Sequence, residues 1–86
     1  MMMFYFNLQT DGAVAQDPEG MDLPDFDAAR QEATKAAREM AAAAVATGSE
    51  ASVDDILITD ANGDVLATVS LADMIPKRLR SKRNQR

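Results

Sequence analysis

Two acidic segments and one aromatic residue hold most of the chemistry open to the body of this chain. Asp60-Ala61-Asn62-Gly63-Asp64 sets carboxylate and amide oxygens around a glycine, which is how calcium is held in an EF-hand loop. Such a loop also needs a glutamate six positions beyond its glycine, where this chain has Val69. The β-branched stretches on either side explain the same residues as a hairpin turn. Asp17, Glu19, Asp22, Asp25 and Asp27 supply carboxylates of the kind that hold magnesium or work as an acid–base pair. The interleaved Pro18, Gly20 and Pro24 favour a solvated loop leading into a helix cap. Tyr5 could stack a nucleobase from an exposed sheet, but repulsion between phosphate and an acidic body opposes that use.

Composition narrows the field further. The 86 residues contain no cysteine and no histidine. Disulfides, thiolate nucleophiles, Cys/His zinc sites and histidine acid–base catalysis are thereby excluded. Without a glycine-rich phosphate loop, an enzyme here would rest on carboxylates, Tyr5 or Lys35 alone, so the expectation is a non-catalytic protein with no cofactor. The apolar start, Met1 to Phe6, is short and lacks a basic flank, and no stretch approaches the roughly 20 apolar residues of a membrane helix. A cytoplasmic location is expected.

The net charge of −5 conceals a division. All 14 acidic residues lie at or before Asp73, with only Arg30, Lys35 and Arg38 among them. Lys77, Arg78, Arg80, Lys82, Arg83 and Arg86 then follow with no acid between them. The expected organisation is one domain over residues 1–75 and a basic, disordered tail over residues 76–86.

The elements that would position these groups can be read from periodicity. Phe4, Phe6 and Leu8 alternate with Tyr5, Asn7 and Gln9, which predicts a half-buried strand. Asp11-Gly12 turns it into a short return strand, Ala13-Val14-Ala15, and Asp17 to Gly20 reads as loop. Asp25 is a helix N-cap after Pro24, and Gly48 ends the helix. Phe26, Ala29, Ala33, Ala36, Met40, Ala43 and Ala44 fall on one side of it. Asp27–Arg30, Glu32–Lys35 and Lys35–Glu39 are spaced as ion pairs on the other. A helix of that length runs about 34 Å against about 23 Å for a strand, so its alanine-rich end should overhang the sheet. Val53 to Thr59 and Val65 to Leu71 predict a second hairpin turning at Asn62-Gly63 in a type I′ turn. That register faces Ile58 with Ala67 and Ile56 with Val69, and places Val65 on their side. A three-residue loop closing on Gly63 would shift it by one. Ser70 to Asp73 reads as a capping box opening one short helical turn before Pro76. The fold class is α+β: an antiparallel sheet of two hairpins with one long helix on one face (ββαββ), and a short C-terminal helical turn.

Several spaced residues resemble a family of small bacterial proteins. Tyr5-Phe6-Asn7-Leu8, Asp11-Gly12, Asp17-Pro18-Glu19-Gly20-Met21-Asp22-Leu23-Pro24-Asp25 and Ala28-Ala29-Arg30-Gln31-Glu32-Ala33 are similar to its pattern. The Ile56–Val65 segment, with Asp60 and Gly63, fits as well. The family is a domain of unknown function, number sixty-eight ninety-four. Asp22 and Phe26 stand where that pattern more often has glutamate and leucine. The resemblance runs from Phe4 to about Val69, excludes the tail, and implies no catalytic residue.

The sequence therefore points to a protein-interaction or regulatory module, working as a homodimer or with a protein partner. Tyr5, Leu57 and Leu66 on the open sheet face and Val45 on the apolar helix end are the candidate contacts. The alternative is an accessory nucleic-acid binder acting through weak contacts of Lys77, Arg78, Arg80, Lys82, Arg83 and Arg86.

Overall fold

The computed structural model describes residues 1–48 and 53–74. The chain runs β1 (Met2–Thr10), β2 (Ala13–Ala15), β3 (Met21–Leu23), α1 (Phe26–Thr47), β4 (Asp55–Thr59) and β5 (Val65–Ser70), and ends in a 3₁₀ turn, Leu71–Met74. The strands form one antiparallel sheet in the order β2-β1-β4-β5, with β3 also on β1. The α+β class, the two hairpins and the single helix on one face are as the periodicity predicts. β3 is an addition. Its three residues are too few to show a period, and only pairing with Met2–Phe4 makes them a strand. The basic tail lies outside the described residues.

Alternation along β1 decides which face meets the helix. Phe6 faces Ile58 and Leu8 faces Ile56, so the even positions of β1 share a side with the two isoleucines. Phe4, Ile56 and Ile58 are fully buried there, with Phe6, Leu8, Ala67 and Val69 packed around them. From the helix, Ala29, Ala33, Ala37, Ala41 and Ala44 point inward. The buried stripe thus passes through Ala37 and Ala41, while Ala43 is exposed. The wheel drawn from sequence was displaced by a fraction of a turn, because alanine marks neither face by itself.

Both helix ends follow their caps. The Ala28 N–H donates to Asp25 Oδ1 at 2.9 Å, and the Gly48 N–H donates to the Ala44 and Val45 carbonyls. The last turns are covered on their inner side, at Ala41 and Ala44, and bare at Ala42, Ala43, Val45 and Ala46. Leu71 is buried where the 3₁₀ turn packs against α1. None of the three spaced ion pairs closes among the described residues. Asp27 instead accepts a hydrogen bond from Gln31 Nε2 at 3.1 Å, one turn along the helix. Among the described residues no helix is long and apolar enough to cross a membrane.

The β4–β5 connection corrects the expected turn. Type I′ needs a left-handed backbone at both central residues, but only Gly63 is left-handed there, at φ +87°. The Gly63 N–H donates to the Asp60 carbonyl at 3.0 Å, and the Asp60 N–H to the Asp64 carbonyl at 3.1 Å. The loop is therefore three residues, Ala61-Asn62-Gly63. It shifts the pairing so that Thr59 meets Val65, and a β-bulge at Leu66 restores Ile58 opposite Ala67 and Ile56 opposite Val69. The core pairs thus stand as predicted, while Val65 sits with Thr59 on the face away from the helix.

Because every fully buried residue of the helix is alanine, its central turns approach the sheet closely and are intolerant of bulk. Ala33→Leu should destabilise the fold by about 1–3 kcal/mol through overpacking. Urea unfolding would read this as a lowered midpoint at unchanged slope, whereas an unchanged midpoint would mean slack in the helix–sheet seam.

Candidate functional site

The odd positions of β1 face away from α1. Tyr5 lies opposite Thr59 there, and Asn7 opposite Leu57, which in turn faces Thr68 on β5. A sheet face without a helix should be wet. Yet Asn7 is only 7% exposed and Thr59 only 5%. The segment between β2 and β3 helps to enclose them.

Pairing on either side of that segment shows how it is held. Leu8 pairs with Ala15 and Phe4 with Met21, so five residues, 16–20, pass over three, Tyr5 to Asn7. The two surplus residues lift the backbone off the ladder, and the Asp17 side chain takes its place. Asp17 Oδ2 accepts the Phe6 N–H at 3.2 Å, where a neighbouring strand would have offered a carbonyl. Asp17 Oδ1 accepts the Glu19 and Gly20 N–H groups, each at 3.2 Å. In return the Asp17 N–H donates to Asn7 Oδ1 at 2.8 Å. Gly20 closes the bulge at φ +71°; a Cβ there would stand 2.8 Å from both Met3 Sδ and Tyr5 Cε2. Partial burial works to raise the Asp17 pKa, but the N–H groups of Phe6, Gly20 and Glu19 outweigh it and hold the carboxyl below its ordinary value.

The opposite wall is the β4–β5 turn. Asp60 Oδ1 accepts the N–H groups of Asn62 at 2.9 Å and Asp64 at 3.0 Å. The residues that resemble a calcium loop thus spend one carboxylate oxygen on turn chemistry. Among the described residues no three acidic side chains gather in a way that could hold a metal ion. Between the two Asp-centred loops lies a shallow depression of about 300 Å³, lined chiefly by Tyr5, Asn7, Gln16, Asp17, Thr59 and Asp60.

The candidate contacts divide between surfaces. Tyr5 lines the depression, and Leu57 is half-buried beside Asn7. Leu66 is 43% exposed at the bulge, with Val65 beside it at 55%. Val45, 47% exposed, belongs to the helix layer and joins neither. Lys77, Arg78, Arg80, Lys82, Arg83 and Arg86 lie outside the described residues. Sequence reasoning missed Asn7, Asp17 and Thr59 as a group. Their one signal was polarity at alternate strand positions, which ordinarily marks a solvated face.

Together these features define a small α+β domain with a polar depression on the sheet face away from its helix. A family model matches residues 3–72, and the chain belongs to that family, the domain of unknown function DUF6894. No curated protein and no solved structure gives a significant match.

The lowered Asp17 pKa fixes a sign. A carboxyl whose folded pKa lies below its unfolded value of about 3.9 stabilises the fold above that pH and loses the contribution as pH falls through the folded value. At pH 7, Asp17→Asn should cost about 1 kcal/mol or more. Urea midpoints from pH 7 down to 2 should show the gap to wild type closing below about pH 4. A constant gap would mean that the charge on Asp17 contributes nothing.

Proposed function

We propose that the chain is a non-catalytic, cytoplasmic protein-interaction or regulatory module that pairs with a second copy or a protein partner through β5 and the adjoining open face of the sheet. One observation carries the reading: the exposed apolar side chains Val65 and Leu66 sit on β5, which ends the sheet order and, among the described residues, pairs only with β4. An edge strand with unpaired backbone groups is a ready template for another chain, and the bulge at Leu66 sets where pairing can begin. Half-buried Leu57 and Tyr5 extend the patch across the open face. Val45 offers a separate, smaller apolar contact on the helix.

Size-exclusion chromatography with light scattering tests this on the full chain. A mass above 9.3 kDa that rises with concentration is expected. Leu66→Glu should return the protein to monomer, while Val45→Glu should leave the mass unchanged. The reverse pattern would move the contact to the helix. A strictly monomeric profile at high concentration would remove self-association and leave only a foreign partner.

A second reading rests on the six cations after Met74. Their charge suits the phosphates of a nucleic acid, with the acidic body as an accessory. Fluorescence anisotropy with generic DNA and RNA should then show affinity falling with salt at a log–log slope near about −5 on duplex DNA. Replacing the six with glutamine should abolish binding without altering the fold. Binding that vanishes at modest salt in the unaltered chain would dispose of this reading.

A further inference from the structure

Two polar atoms in the depression lack what burial normally requires. Asn7 Oδ1 accepts the Asp17 N–H at 2.8 Å, which orients the amide and leaves Nδ2 as a donor. Among the described residues Nδ2 has no hydrogen-bond partner, and neither has Thr59 Oγ1, although both side chains are more than nine-tenths buried. Buried donors and hydroxyls are paired in the large majority of cases, and valine at position 59 would carry no such penalty. Unpaired groups lining a concave site are what a bound ligand completes.

The surrounding chemistry limits that ligand. Asp17 and Asp60 flank the depression and, among the described residues, no basic side chain lines it, so an anion is repelled and a cation attracted. Both oxygens of Asp17 are engaged, whereas Asp60 uses only Oδ1 among the described residues and has Oδ2 to offer. Tyr5 presents a ring of the kind on which a guanidinium stacks. A bare amine would leave Asn7 Nδ2 without an acceptor. A peptide segment carrying arginine meets every demand: its guanidinium suits Asp60 and Tyr5, and its backbone carbonyl suits Asn7.

We propose that this depression is a receptor for an arginine of the chain's own basic C-terminal segment, donated by a second copy. That segment holds Arg78, Arg80, Arg83 and Arg86, opposite in charge to the acidic body. The 3₁₀ turn before it packs against α1, while the depression opens on the other face of the sheet. A second copy delivers its segment without threading it around a sheet edge. The proposal rests on the interaction-module reading, with the tail as the partner and Asn7, Thr59 and Asp60 as its recognition groups.

The test uses the full-length chain with its four tail arginines changed to glutamine, isotopically labelled and titrated with a synthetic peptide of residues 76–86. Saturable shifts are expected at the Asn7 side-chain amide and at Thr59 and Asp60. Asp60→Asn keeps an oxygen for the turn but loses the charge, and should weaken binding about tenfold or more. Thr59→Val should also weaken binding while leaving thermal stability equal or higher, a combination that a purely structural hydroxyl would not produce. Shifts spread over the whole acidic surface, with neither variant changing affinity, would overturn the receptor and leave diffuse attraction. Localised shifts with N-acetyl-arginine amide but none with the 76–86 peptide would overturn the tail as the source in favour of a foreign peptide. Light scattering of the intact chain separates the two readings. A monomer whose depression still binds the peptide would overturn donation by a second copy and leave only the arginine preference of the site.

Discussion

A helix whose fully buried positions are all alanine brings little side-chain volume to the centre of the core, with only the partly buried Phe26 and Met40 adding bulk from its side. Everything else in this fold accommodates that constraint. The sheet must supply the bulk, and it does so from β1 and β4, where Phe4, Ile56 and Ile58 are fully buried. In exchange the backbone of α1 lies close to the sheet, so packing depends on the absence of atoms as much as on their presence. A chain of 86 residues has little apolar surface to spare, and concentrating the bulk in two central strands is an economical way to close one core.

That arrangement commits one face of the sheet to the helix and leaves the other to polar chemistry. On the committed face, pairing must keep Ile56 and Ile58 inward. The β4–β5 hairpin meets this requirement by an indirect route. Its loop offsets the strands by one residue, and the bulge at Leu66 takes the offset back before the isoleucines are reached. The bulge also leaves Val65 and Leu66 exposed at the sheet edge, so the correction that protects the core creates the apolar feature on which the interaction reading rests.

On the other face, Asp17 does the work of a missing piece of strand. Between β2 and β3 the backbone leaves the ladder, and three N–H groups that would otherwise lack a partner converge on one carboxylate. Asp60 plays a related part in the opposite loop. Both acids are therefore structural first, and their charge colours the depression between them as a consequence. This is how a chain without histidine or cysteine arrives at a concave, negatively charged site: by loop closure, with Asn7 and Thr59 at its floor.

Much of the fold was legible in the residues. The period of β1, the Asp25 and Gly48 caps, the return strand after Asp11-Gly12 and the pairing of Ile56 with Val69 all express local rules acting over a few residues. The family likeness was legible too: its Asp-Pro-Glu-Gly segment forms the loop that Asp17 organises, and its Leu-Pro-Asp segment leads from β3 into the Asp25 cap. Other features were not local. β3 exists only because β1 offers it an edge. The turn at Asn62-Gly63 was settled by whether Asn62 adopts a left-handed backbone, and nothing in the dipeptide alone forces that. The inward side of α1 was ambiguous because alanine suits water and core alike, so the facing strands had to choose it. Above all, Asn7, Asp17 and Thr59 come together from three distant segments. Each is an ordinary polar residue in the sequence, and only the surplus of two residues between β2 and β3, folded against β1, makes them neighbours and buries two of them.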